Sequence, residues 1–259
     1  MPPSSARFTA RDLVVLSVLS GMLVGGWAIG ALGWNTLLIS LTGATIAVLA
    51  YAVLGAKANA LSGGRRPSRK LLHLAGGSVL VSGVLLFPQD ASFLALTLFT
   101  TYLTYEVLRW SPPRGAMWLS LMLDSLGSPE EEVGRPFSEA VLGLAAVCAV
   151  LYAFEPRIAL VALVNLTFGD GVAGLIRERL GERGRTHGIG EGWRGSVIGS
   201  LTSSMITLLL THDPLFLVPV LVGMVVERSP IPIDDNVTVP LSTAVAAWLL
   251  AASFPGCLD

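Results

Sequence analysis

Long apolar runs divide this chain, and the basic residues between them fall almost entirely in every second connection. We predict nine membrane spans, at residues 13–32, 36–55, 71–87, 91–108, 138–154, 158–176, 196–212, 214–226 and 237–254. Sixteen of the 17 basic residues lie on one side of this scheme, and Arg157 alone lies on the other. Because basic residues concentrate in cytoplasmic loops, the pattern predicts a cytoplasmic N-terminus and an outer C-terminus.

The composition agrees with a membrane protein. Hydrophobic residues make up 53% of the chain and charged residues 14%, whereas a soluble domain carries about 25% charged residues. Apolar helices of roughly 17–25 residues match a hydrocarbon layer of about 30 Å. We therefore expect an all-α, polytopic integral membrane protein with about nine transmembrane helices, within a range of about seven to nine. The eighth span is short and contains Pro219, so its boundaries are the least regular.

The chain divides into two parts. Residues 1–64 hold two predicted transmembrane helices and a basic cytoplasmic loop, and residues 65–259 hold a membrane-embedded core with the reactive residues. The basic side would attract anionic headgroups or a polyphosphate, but its charges lie in short separate loops, which argues against nucleic acid. Cys148 and Cys257 show no metal-binding spacing and are expected to be unpaired.

Two polar clusters on the basic side precede the middle of the chain. Arg69, Lys70 and His73 stand together where the third span begins, and this group would suit a phosphate chain. Basic residues also flank spans simply to set topology, which is the alternative for this cluster. Glu106 and Arg109 lie one helical turn apart and are expected to pair with each other.

A third cluster interrupts the apolar run at 158–176. Asp170 is a carboxylate at membrane depth, where it needs a partner, a cavity or a cation. Gly169, Gly171 and Gly174 leave room for close approach of another group. The following loop mixes glycines with arginines, among them Arg185, and its backbone N–H groups would form a phosphate cradle.

A fourth cluster opens the last span. Glu227 is followed by the adjacent residues Asp234, Asp235 and Asn236. Neighbouring carboxylates repel unless a cation joins them, and hard oxygen ligands beside a polyphosphate suggest Mg²⁺. The alternative is that one of these side chains caps the N-terminus of a helix.

Taken together, these segments resemble the CTP-dependent lipid-alcohol kinases, which include dolichol, phytol and farnesol kinases and the CTP-using diacylglycerol kinase. The resemblance runs from about Arg69 to the last span. Residues 69–73 are similar to the first family motif, residues 168–174 to its Gly-Asp-x-x-Ala motif, and residues 232–240 to its Asp-Asp-Asn-x-x-x-Pro ending. The order, spacing and shared side of the three segments make the combination specific.

The chain departs from the family pattern at two places. Arg177 stands where the family usually has the first glycine of a Gly-x-x-x-Gly motif. Residues 191–199 keep the frame of the usual Lys-Ser/Thr-Trp-Glu-Gly-Ser-x-x-Gly motif, which cytidylyltransferases also show, but Glu191 and Arg194 exchange acid and base. An ion pair could survive this exchange, whereas a lysine contact to phosphate at position 191 could not. Three interpretations follow: Arg177 or Arg185 replaces the lysine, the substrate differs, or activity is lost.

The resemblance implies transfer of the γ-phosphoryl group of CTP to a membrane isoprenoid alcohol, with Mg²⁺ as cofactor and the active site facing the cytoplasm. It implies catalytic and metal-binding roles for Asp170, Asp234 and Asp235. The implied nucleotide- or phosphate-binding residues are Arg69, Lys70, His73, Gly169, Gly171, Gly174, Arg177, Arg185, Glu191, Arg194, Gly195, Ser196 and Asn236. The alternatives are cytidylyl transfer to a lipid phosphate and a non-catalytic lipid-binding or transport protein.

Overall fold

A computed structural model of the protein describes residues 68–110, 139–180, 193–231 and 233–254. Every regular element in these ranges is helical, which confirms the all-α prediction for this part of the chain. The elements are α1 (Ser68–Leu86), α2 (Ala91–Trp110), α3 (Glu139–Ala153), α4 (Pro156–Val164), a π-helix (Asn165–Asp170), α5 (Gly171–Leu180), α6 (Trp193–Thr211), a 3₁₀ turn (Pro214–Phe216), α7 (Leu217–Arg228) and α8 (Asp235–Ser253).

The helices coincide with the predicted spans from residue 71 onward, and the spans at 13–32 and 36–55 lie outside the described residues. Within the described part, two helical stretches are long and apolar enough to cross a membrane, Pro156–Arg177 and Asp235–Ser253. The eighth predicted span begins with the 3₁₀ turn. Pro219 then falls in the first turn of α7, where its missing N–H is tolerated. The nine-span topology itself stays a prediction.

A central rod, formed by α4, the π-helix and α5, organises the bundle. All residues from Ile158 to Val164 are buried, as expected for a helix that is apolar on every side. Helices α1, α6 and α8 pack around this rod, and α7 packs against α6 and α8. Helices α2 and α3 pack on each other, and α3 also packs on α8. The rod therefore brings any polar side chain on it into contact with several helices.

Helix α6 exposes large apolar side chains and buries small residues. Its outward face carries large apolar side chains, with Leu201 and Met205 each 65% exposed. Small residues at the interface let membrane helices approach closely, whereas a helix in water buries its large apolar residues. This distribution is typical of a helix that faces lipid. The inward stripe consists of glycine and hydroxyl residues, namely Gly195, Ser196, Gly199, Ser200, Ser203, Thr207 and Thr211.

Candidate active site

Asp170 lies at the end of the π-helix, with a side chain that is 1% exposed. Lys70, in the first turn of α1, donates a hydrogen bond from Nζ to Asp170 Oδ2 at 2.8 Å. The stem of Lys70 crosses Gly174, where a Cβ atom would overlap Lys70 Cε. The close approach expected at this glycine is therefore made by a lysine side chain. Single π-turns occur frequently at functional sites, and here one carries the buried carboxylate.

His73 lies one turn after Lys70 and contacts the same segment. Its Nε2 atom is 2.9 Å from the carbonyl oxygen of Leu166, within the π-helix. Because a carbonyl oxygen accepts hydrogen bonds, Nε2 must carry the proton in this contact. The same atom lies 3.9 Å from Asp170 Oδ2. His73 thus fixes α1 against the π-helix beside the carboxylate, and its contact with phosphate stays a prediction.

Arg177 connects Asp170 to a carboxylate on another helix. Its Nη2 atom lies 3.5 Å from Asp170 Oδ1 and 2.7 Å from Glu227 Oε1, on α7. The stem of Arg177 passes over Gly195, at the start of α6, where a Cβ atom would lie 2.6 Å from Arg177 Cγ. Lys70, Asp170, Arg177 and Glu227 thus form a chain of alternating charge, which we call the charge quartet.

The two carboxylates of the quartet are almost closed to solvent, with the side chains of Asp170 and Glu227 exposed by 1% and 5%. Asp170 Oδ1 and Glu227 Oε1 are buried and receive no well-aligned hydrogen bond within the described residues. Burial raises the pKa of Glu227 to about 6; the charge of Arg177 lowers this pKa, and the charges of Asp170 and Asp235 raise it. A buried carboxyl group whose pKa is raised toward neutral pH, and which lies near other carboxylates, is frequently found at functional sites.

The start of α8 shows which of its polar residues caps the helix. Asp234 Oδ1 accepts hydrogen bonds from the backbone N–H and from Nδ2 of Asn236, both at 2.9 Å. The helix-cap alternative is therefore confirmed for Asp234. Asp235 lies in the first turn of α8, and its charge contributes to raising the pKa of Glu227.

The structure brings together Lys70, Asp170 and Arg177 and adds Glu227. Arg194 is exposed at the start of α6, whereas the neighbouring Ser196 is buried, and its hydroxyl has no hydrogen-bond partner among the described residues. The side chains of Arg69, Glu106 and Arg109, and all of Arg185 and Glu191, lie outside the described residues. Within those residues, no three His, Cys, Asp or Glu side chains form a group that would hold a metal ion.

Glu227, in the fourth polar cluster, and Asn165, at the start of the third, were given no individual catalytic or binding role from sequence. Glu227 ends an apolar run beside Arg228, a place where charged residues commonly mark the boundary of a span. Asn165 is a buried hub, because its Nδ2 donates to Thr243 Oγ1 at 2.9 Å and to Val220 O at 3.2 Å, and its Oδ1 accepts from Ser203 Oγ at 3.0 Å. The signal for Asn165 was an amide in an apolar run, five residues before Asp170.

A probable phytol kinase 1 of rice, chloroplastic, is 28% identical over 207 residues, which cover 71% of this chain and 64% of the rice protein. A probable chloroplastic phytol kinase of maize is 28% identical over 210 residues, 72% of this chain and 67% of the maize protein. The chain is similar to plant phytol kinases. The aligned region spans less than two thirds of the length of the rice relative. No family model and no solved structure matches the chain.

The similarity to two probable phytol kinases agrees with the resemblance of the motifs to the lipid-alcohol kinases.

Proposed function

We propose that this protein is a membrane-embedded kinase that transfers the γ-phosphoryl group of CTP to the hydroxyl group of an isoprenoid alcohol of the dolichol, polyprenol, phytol or geranylgeraniol type. The observation that carries the proposal is the buried charge quartet at one end of an apolar helical bundle. The similarity to two probable phytol kinases supports the same class of reaction. The choice of CTP rests on the motif resemblance.

The quartet has the properties that phosphoryl transfer requires. Catalysis of this reaction depends mainly on alignment and on neutralising charge over the phosphate oxygens. Lys70 and Arg177 carry positive charge, and each is held by Asp170 at 2.8 and 3.5 Å. A triphosphate that reaches this place meets two cations that are already oriented. The conformational entropy of these two long side chains is already lost when the protein folds, so nucleotide binding does not have to order them.

The oxygen atoms present are compatible with Mg²⁺. Asp170 Oδ1 is buried and lacks a hydrogen bond, and Asp235 stands at the start of α8, close enough to influence Glu227. Mg²⁺ usually keeps several waters and binds one or two carboxylates plus substrate phosphates, so a ready cage of three protein ligands is not needed. When bound, the ion would neutralise phosphate charge. Asp170 and Asp235 would hold it, with Asp234 beside them as the cap of α8.

The start of α6 is a second region where phosphate oxygens would bind. Helix N-termini present free N–H groups and a partial positive charge. Gly195 is covered by the stem of Arg177, and the buried hydroxyl of Ser196 has no hydrogen-bond partner in the described part of the chain. In this proposal Arg177 replaces the lysine that the family has at position 191, and Arg194 with Glu191 shapes the adjoining loop.

The lipid alcohol would approach from the bilayer. The outward faces of α6, α7 and α8 expose large apolar side chains, among them Leu209, Val225 and Trp248. Lipid covers such surfaces without cost, whereas water does not. In the predicted topology the quartet lies at the cytoplasmic surface, so the alcohol keeps its chain in the membrane while its hydroxyl meets the nucleotide.

Transfer of labelled phosphate tests the proposal directly. The purified protein in lipid nanodiscs is given Mg²⁺, CTP labelled at the α or γ phosphate, and phytol, geranylgeraniol, a polyprenol or phosphatidate. Label from the γ position entering an alcohol is the expected result. Label from the α position entering phosphatidate would show a cytidylyltransferase. Absence of lipid labelling under all conditions, with folded protein, would favour a non-catalytic lipid-binding or transport protein.

A further inference from the structure

We propose that Glu227 is the catalytic base, which accepts the proton of the lipid alcohol as its oxygen attacks the γ-phosphorus. This inference rests on the proposed kinase function and adds a residue that the motifs do not assign. In the step, the alcohol O–H bond breaks and its proton moves to a Glu227 carboxylate oxygen. The bond from the alcohol oxygen to phosphorus forms, and the bond from phosphorus to the β-phosphate oxygen breaks. The nucleoside diphosphate leaves, and Glu227 later returns the proton to water.

Asp170 is less suited to this role because its charge is already engaged. Lys70 holds Oδ2 at 2.8 Å, Arg177 lies 3.5 Å from Oδ1, and His73 lies 3.9 Å from Oδ2. A proton placed on this carboxylate would weaken two ion pairs at once. Its position between two cations suits a group that keeps its negative charge throughout the reaction.

The two aspartates of α8 are also committed elsewhere. Asp234 Oδ1 accepts two hydrogen bonds from Asn236 and caps the helix. Asp235 lies in the first turn of the same helix, directly after the cap residue Asp234. Both carboxylates are better placed to bind a cation than to act as the base that accepts the alcohol proton.

Glu227 differs from these three carboxylates in its surroundings. It is buried, with a side chain that is 5% exposed, and the ion pair that the structure shows for it is with Arg177 at 2.7 Å. Its Oε1 atom receives no well-aligned hydrogen bond from the described residues. The groups that face it are Arg177 on α5, Asp170 on the π-helix and Asp235 on α8, and burial raises its pKa to about 6. A base with a pKa near the working pH is the effective choice for proton transfer.

Arg177 couples this base to nucleotide binding. In the structure the guanidinium neutralises Glu227 and also faces Asp170. A polyphosphate carries more negative charge than one carboxylate, so it competes for the same guanidinium when it binds. As Arg177 turns toward the phosphate, Glu227 loses its counter-ion and becomes more basic. The base is therefore most effective when the donor is in place, which protects it from acting without nucleotide.

The position of Glu227 also suits a hydroxyl that arrives from lipid. Glu227 lies in the last turn of α7. The outward face of the same helix exposes Leu221 by 48% and Val225 by 60%. A lipid chain that lies along this face ends at the level of Glu227, where the hydroxyl passes from the apolar surface to the buried carboxylate.

Substitution at Glu227 tests this inference, with nucleotide binding and turnover measured separately in nanodiscs. We expect Glu227→Gln to lower kcat for the alcohol by about 100-fold while CTP binds as tightly as to the wild type or more tightly, because one negative charge near the phosphates is removed. Glu227→Asp should retain part of the activity. Glu155→Gln is the matched control, since Glu155 is an exposed carboxylate before α4, and its activity should equal that of the wild type.

The pH profile gives a second readout. Wild-type kcat/KM should fall as the pH drops through about 6, since the raised pKa makes Glu227 protonated in the nucleotide-free protein and a protonated carboxyl cannot accept the alcohol proton. The corresponding limb of kcat should lie at a higher pH, because bound nucleotide removes Arg177 from Glu227. This acidic limb should be absent from the residual activity of Glu227→Gln. A residue that merely held Arg177 in place would instead weaken CTP binding when changed and would leave the shape of the limb unaltered.

The outcomes separate the two proposals. Normal turnover in Glu227→Gln, or a loss that appears entirely as weaker CTP binding, would overturn the role of Glu227 as base and leave the kinase function standing. Failure of the wild type to move γ-label to any alcohol would overturn the kinase function and the base together. If Glu227→Gln does not fold, Glu227→Asp decides the matter, because full activity with an unshifted acidic limb would also reject the base.

Discussion

The two ends of the central rod each carry an arginine, and the two arginines have different partners. At the start of α4, Arg157 donates from Nη2 to the carbonyl oxygen of Thr211 at 3.2 Å and lies over the ring of Phe216, 6.0 Å from its centroid. At the end of α5, Arg177 faces the carboxylates of Asp170 and Glu227. One arginine therefore binds the C-terminal end of a helix, and the other joins two buried acids.

The difference shows that an arginine at the end of the rod does not by itself indicate a functional site. What matters is whether it contacts the backbone at the end of a helix, as Arg157 does, or buried carboxylates, as Arg177 does. Asp213, close in sequence to Thr211, likewise binds a backbone group, because its Oδ1 accepts a hydrogen bond from the N–H of Leu215 at 2.9 Å. Helix termini leave such groups without partners, and polar side chains satisfy them. At the quartet, acids and bases face each other in a buried place, where an ion pair is costly to assemble. Such an arrangement is most readily explained by the chemistry it supports.

The largest effect should come from Asp170. We expect Asp170→Asn to lower phosphoryl transfer by a factor of about 10² to 10³, since a preoriented charge in a buried site is removed. Arg157→Gln should leave kcat within about threefold of the wild type, because the contacts of Arg157 with Thr211 and Phe216 lie at the opposite end of the rod from the quartet. Turnover with the correct alcohol, beside melting temperature and size-exclusion profile, measures both variants.

A similar loss in both variants would contradict the distinction between the two ends. Wild-type turnover in folded Asp170→Asn would remove the basis for the proposed metal and phosphate roles. The melting temperature is essential to this comparison, because loss of one partner from a buried pair also destabilises the fold.

The sequence predicted the helices and the most buried acid for clear physical reasons. Apolar runs of membrane length define helices almost without regard to tertiary context, and the described helices fall on them. Asp170 was predicted to need a partner because a carboxylate in an apolar run is costly. Lys70 was predicted to lie at the same site, and the structure places its Nζ 2.8 Å from Asp170 Oδ2.

The pairing of Arg177 with Glu227 was not predictable in the same way. The two residues are 50 positions apart, and their contact depends on how α5 and α7 meet around α6. The π-helix has no sequence signature in this chain, yet it sets the direction of Asp170. Asn165 was identified as the first residue of the third polar cluster, but its role as a hub appears only after α6, α7 and α8 are packed around it.

The wall behind the quartet provides a smaller effect. Gly199 on α6 packs against the carbonyl oxygen of Gly169, so a Cβ atom there would overlap the backbone beside Asp170. We expect Gly199→Ala to cost about 1–3 kcal/mol of stability, since a packed backbone has little room to move, and to lower activity with it. Gly76→Ala on α1 is the matched control, because a Cβ atom at Gly76 has nothing within 4 Å.

Thermal unfolding in nanodiscs measures both glycine variants. The melting temperature of Gly76→Ala should be unchanged or slightly raised, since alanine is the better helix former. Equal melting temperatures for the two variants would show that the contact between α6 and the π-helix is looser than the structure indicates.

The smallest effect concerns Glu191 and Arg194, where acid and base are exchanged relative to the family pattern. We expect an ion pair between them, which the i,i+3 spacing permits if the segment is helical. Arg194 is exposed at the start of α6, and exposed pairs contribute about 0–1 kcal/mol. Glu191→Lys or Arg194→Glu alone should therefore reduce activity by a few-fold, through like charges beside the phosphates. The double variant restores attraction and should recover part of that loss. The coupling term of this double-mutant cycle is the decisive quantity. If the two single losses simply add, the residues do not interact, and Arg177 with its buried partners then carries the phosphate-binding role without help from the loop.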